Sequence, residues 1–126
     1  MADKGKYDTH KAIYDHTKDL ADKLKTSLNT LLALNERTKE QMETLNEKYN
    51  SLIGLKSHME RSSDNLANYM QNMQTSSSSW SDFLTLSMSY VTLDGMVTQA
   101  ISNAKIVIDI WLTDNIVLDA EPVAIP

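Results

Sequence analysis

The chain has 126 residues, no cysteine, 3 glycines and 2 prolines, which reads as one helix-rich domain without a disulfide framework, thiol nucleophile or thiolate metal site. Its net charge of −5 is carried entirely beyond residue 73, where Lys105 stands against Asp82, Asp94, Asp109, Asp114, Asp119 and Glu121. With no basic stripe to release counterions from a phosphate backbone, and an acidic C-terminal part unsuited to an anionic bilayer, nucleic acid and membrane surfaces are not expected as partners.

The first segment, 1–74, opens on the polar "MADKGKYDTHK", which has no apolar core of a cleaved signal peptide. A virion or cytoplasmic location is expected on that basis. From Leu24 the apolar residues then fall in alternating steps of four and three: Leu24, Leu28, Leu31, Met42, Leu45, Tyr49, Leu52, Met59, Leu66, Met70 and Met73. The same register passes through the polar Asn35, Thr38, Lys56 and Ser63, and extends backwards more weakly through Ala21, Thr17, Tyr14, His10 and Tyr7. A repeat of 3.5 held in one phase is the seam of a left-handed coiled coil, because a straight helix of 3.6 residues per turn drifts away from it. We therefore expect one long amphipathic helix whose seam, Asn35 included, joins copies in a homo-oligomer.

Beside the seam lies a second stripe, Ile13, Leu20, Leu34, Leu55 and Tyr69. A face this wide calls for more than one neighbour. Pairs such as Lys18–Asp22, Asp19–Lys23 and Lys39–Glu43 belong to a solvated face. Breaks are conceivable at Asn35, where Thr38 and Gln41 have the spacing of a capping box, at Gly54, and at "RSSDN" (61–65). The unbroken register favours continuity over the alternative, a bundle of three or four short helices.

Residues 75–80, within "TSSSSWSDFL", read as a turn, and Ser79 three residues before Asp82 has N-capping spacing. Residues 81–113 then form an apolar segment. On a helical wheel Asp94, Thr98, Ser102, Lys105 and Asp109 share one narrow polar face, and Leu93, Met96, Val97, Ala100, Ala104, Val107, Ile108 and Trp111 fill the rest. Alternation over 106–113 also fits a strand, but the polar face persists for five turns, so helix is preferred. Such a helix should be buried, folded back as a hairpin on the long one through Trp80, Phe83, Leu93, Val97, Ala104, Val107 and Trp111, with Gly95 as a place to kink. "AKIVIDIWL", cut by Lys105 and Asp109, is too short to cross a bilayer.

The last segment, 114–126, contains Pro122 and Pro126 and reads as an extended tail that docks through Val117, Leu118, Val123 and Ile125.

Chemistry is sparse. His10 and His16 are too far apart to share a helix face as a metal pair, and His58 stands alone. No glycine-rich phosphate loop or nucleophile elbow is present. Paired carboxylates such as Asp15–Asp19 recur on the polar face without apolar surroundings to raise a pKa. The expectation is an all-α, non-enzymatic protein with no cofactor, metal or small-molecule substrate. It would be a self-associating structural subunit of a larger particle, first a phage or virus virion component (tail, neck or capsid accessory). The alternatives are a compact adaptor or chaperone-type bundle, or a secreted filament or translocon subunit.

Overall fold

Thr38 divides the first helical stretch in two. Its hydroxyl accepts a hydrogen bond from the Gln41 amide, and the Gln41 side chain accepts one from the Thr38 amide, both at 3.2 Å. This reciprocal pair satisfies two of the donors that a helix start leaves without partners. A computed structural model describes residues 2–72 and 77–118, and it is helical almost throughout. The helices are α1 (Ala2–Ala33), α2 (Lys39–Asn72) and α3 (Ser77–Leu118).

The expectation of a single continuous helix is therefore corrected at residues 34–38, while α2 runs unbroken through Gly54 and "RSSDN". Arg37 holds this loop shut. Its guanidinium donates to the Leu32 carbonyl near the end of α1, and its own carbonyl accepts the Trp111 indole N–H of α3 at 2.9 Å. The polar seam residues Asn35 and Thr38 are thus the loop and the cap, not buried register-setting positions. Eleven residues separate Leu31 from Met42, a whole number of seam steps, so the repeat keeps its phase although the chain reverses.

Three levels along the bundle fix its topology. Tyr7 meets Phe83 at 5.6 Å between ring centroids, with His10 near Tyr69; Tyr14 meets Tyr90 at 5.0 Å; and Trp111 reaches the 34–38 loop. Hence α1 runs parallel to α3, and α2 antiparallel to both. The chain is an up-down-up bundle in which α2 and α3 form a helical hairpin and α1 fills the groove beside them. At 42 residues α3 is about 63 Å long at 1.5 Å per residue, so the bundle is elongated.

The core has two parts. Towards the 34–38 loop it is aliphatic, with Leu28, Met42, Leu45, Leu52, Met59, Leu93, Val97, Ala100, Ala104 and Ile108 closed by Trp111. Towards the other end Leu66, Met70, Phe83, Leu86 and Tyr90 are joined by Tyr7, Tyr69 and Trp80. Phe83 sits at the edge of several rings at once, an arrangement that aromatic quadrupoles favour.

The expected turn lies partly outside the described residues, and its last four residues, 77–80, are already helix because α3 begins at Ser77. Ser79 is therefore not the cap. Serine is tolerated in a first turn, whose amides have no intrahelical partners in any case. Gly95 does not end α3, which continues to Leu118, so Val117 and Leu118 are helical and not part of an extended tail. Val123, Ile125 and Met73 lie outside the described residues.

Candidate interaction surface

Most of the residues assigned to an oligomer seam lie in the interior of a single chain. Leu28, Met42, Leu45, Leu52, Met59, Leu66 and Met70 are buried, and Leu24, Leu31 and Tyr49 are partly buried against the same core. Within one chain the seam is closed by the chain's own α3, so these residues serve as core. Asn35 is exposed in the loop. Of the residues assigned to hairpin packing, Phe83, Leu93, Val97, Ala104 and Trp111 are buried, and Trp80 and Val107 partly so.

Two polar seam positions carry local chemistry. Lys56 reaches out of the core to Asp94 of α3 at 3.0 Å and to Glu60 at 3.2 Å. The hydrogen bond to Asp94 is the main cause that holds the Lys56 pKa above its usual value, opposed by desolvation. Ser63 lines an open cleft between α2 and α3, with Glu60, Asp64, Tyr90 and Asp94. Tyr90 is buried and its hydroxyl makes no hydrogen bond of good geometry; burial pushes its pKa up, and nearby Ser62 draws it partly back. Two of the three carboxylates at this cleft are occupied with Lys56. Among the described residues no group of three or more histidine, aspartate or glutamate side chains is placed to hold a metal ion. None of the helices is long and apolar enough to cross a membrane.

His10 sits at the aromatic end, 6.0 Å from Tyr69 and 6.2 Å from Phe83 between ring centroids. Burial, with Lys6 adding to it, lowers its pKa. His16 and His58 are exposed. The histidines make no joint site.

What the sequence reading missed lies on α3. Its inner face keeps its own 3.5 repeat: Phe83, Leu86, Tyr90, Leu93, Val97, Ala100, Ala104, Val107 and Trp111. One helix face meets the core, so the expectation that most of the circumference is buried is corrected. On the opposite side Leu84 (44%), Met88 (64%), Val91 (67%), Ile106 (57%) and Ile110 (55%) are exposed. Gly95, Gln99 and Ser102 continue the same line, also exposed. Asp94, Lys105 and Asp109 lie to one flank, Asp94 on the side of α2, and Lys105 and Asp109 pair with each other at 2.9 Å.

This uncharged outward line is the most unusual surface of the bundle. The signal for it was available, since marking the inner repeat and subtracting it leaves these apolar residues with no core to fill. No protein-family model, curated protein or solved structure matches the chain.

Proposed function

We propose that the chain is a non-enzymatic assembly protein, a helical-bundle subunit that joins other subunits through the outward face of α3. The observation that carries this reading is the row of exposed apolar residues Leu84, Met88, Val91, Ile106 and Ile110 on a helix whose other side already fills the core. Aligned apolar side chains left in water are characteristic of contact surfaces, whereas singly scattered ones need no explanation. In its narrower form the assembly is a phage or virus particle, where small helical subunits without active sites are common.

A second reading, an adaptor or chaperone-type module serving one partner, is favoured by the break at residues 34–38, which lets one chain satisfy its own seam. Gradient sedimentation of native material from cells or particles that carry the chain tests the assembly reading. Wild type should travel in a high-mass fraction, and a Met88→Glu/Val91→Glu variant, folded by circular dichroism, should remain light. Equal incorporation of the variant would remove α3 from the contact. A light complex with a single partner would favour the adaptor.

A further inference from the structure

We infer that the occupant of the outward α3 face is α3 of a second copy, laid antiparallel across a two-fold axis that passes near Val97. The inference rests on the assembly reading above and specifies its first contact.

The spacing of the face carries it. Leu84 and Ile110 lie 13 residues to either side of position 97, and Met88 and Ile106 lie 9 to either side. A two-fold at that level sets Leu84 against Ile110 of the other copy, and Met88 against Ile106, twice each. Isologous interfaces require this kind of self-complementary patch, in which residue i meets j while j meets i. At the centre Gly95 faces Gln99 of the other copy. A Cβ added at Gly95 would meet nothing within 4 Å in the single chain, so the backbone is bare there and a second helix can come close. From Met88 the line advances by three, four, four, three, four and four residues, through Val91, Gly95, Gln99, Ser102 and Ile106 to Ile110. That average, near the 3.6 of a straight helix, keeps the face on one side throughout.

Charge limits the contact and does not drive it. Two copies of a chain with net charge −5 repel each other, and the outward line of α3 brings no carboxylate to the axis. Asp94 and Lys105 stay at the flank, and Asp109, five turns along α3 from Val91, borders the line while paired with Lys105 at 2.9 Å, as the polar rim of a contact. The contact is small. A line about 40 Å long and one helix wide offers roughly 400 Å2 per copy, about half of what a standard stable interface buries. The dimer should therefore be reversible and depend on concentration.

Sedimentation equilibrium of the full chain over a hundredfold range of concentration tests this, with folding checked by circular dichroism and thermal melting. Wild type should pass from monomer to dimer. Met88→Glu alone and Ile106→Lys alone should each weaken the dimer at least tenfold. Met88→Glu/Ile106→Lys should recover most of that loss, because in the antiparallel register each introduced carboxylate faces an introduced ammonium. Monomer at every concentration overturns the inference, as does a dimer that ignores the single substitutions or is not rescued by the pair. Each of these results leaves the assembly reading to its own gradient test, where loss of the high-mass fraction on substitution would point to a different partner on the same face.

Discussion

The outward faces of α1 and α2 differ from that of α3 in what they offer to water. Along α1 and α2 run Lys11–Asp15, Lys18–Asp22, Lys23–Asp19, Lys39–Glu43 and Lys56–Glu60, all four residues apart. Such pairs contribute a few tenths of a kcal/mol each, and their larger effect is to keep a face hydrated. Along α3 the corresponding line holds Leu84, Met88, Val91, Ile106 and Ile110, and its one such ion pair, Lys105–Asp109, stands at the flank. All three helices contribute an inner stripe to the core. The inner stripe therefore reports the fold, and the outer faces report what each helix does next.

The sharpest way to break this comparison is to truncate neighbours on α3. Phe83 is fully buried among rings and Leu84 is 44% exposed. Phe83→Ala should cost about 3–5 kcal/mol, a large share of a domain's stability, and Leu84→Ala less than about 1 kcal/mol, both read from urea unfolding. Similar losses from the two would mean that the outward face is packed against something within the monomer. Next in size is the cap that separates the two charged helices. Thr38→Ala should cost about 1 kcal/mol, and Thr38→Asp should retain most of the stability.

Two glycines compare the helices more gently. Neither Gly54 of α2 nor Gly95 of α3 would crowd an added Cβ. Gly54→Ala and Gly95→Ala should each stabilise the monomer by roughly 0.5–1 kcal/mol in denaturant titration. Only the second should also weaken self-association, since only Gly95 stands on the proposed axis.

The smallest effect is electrostatic. Folding lowers the His10 pKa from 6.5, chiefly through burial. Between the lowered folded value and 6.5 the unfolded chain binds more protons, so the stability tied to neutral His10 is complete above 6.5 and is lost as pH falls through the folded value. Thermal melts from pH 7.5 to 5 should fall less steeply for His10→Gln than for wild type. An unchanged slope would assign the pH dependence to other groups.

The seam of α1 and α2 was legible because large apolar residues alternate there with charged ones, so even a weak repeat stands out. The break was legible too, in Asn35, Thr38 and Gln41, but a phase that continued across it argued for one helix. Phase belongs to a single helix, and an eleven-residue interval can span a chain reversal without disturbing it. On α3 the inner repeat includes the small Ala100 and Ala104, and the outer line is apolar at both ends, so contrast between faces is weak. Only the narrow polar flank from Asp94 to Asp109 showed on the wheel. The outward face could be read only after packing had shown which apolar residues the core used.

The inner side of α1 is the least oily of the three. Its buried positions are Thr17, Ala21 and Leu28, and the Thr17 hydroxyl, at 1% exposure for the residue, donates back to the Ile13 carbonyl at 2.7 Å. Tyr7, His10 and Tyr14 are only half-buried. Small and polar side chains make up much of what α1 buries, so the bundle should open in stages, with the N-terminal half of α1 lifting away most often. Its amides would then exchange with solvent on a shorter timescale than those around Leu52, Met59 and Val97. Each opening would briefly present the aromatic rings of Phe83 and Tyr90 as an uncovered trough, with Arg37 and its loop as the hinge that brings α1 back.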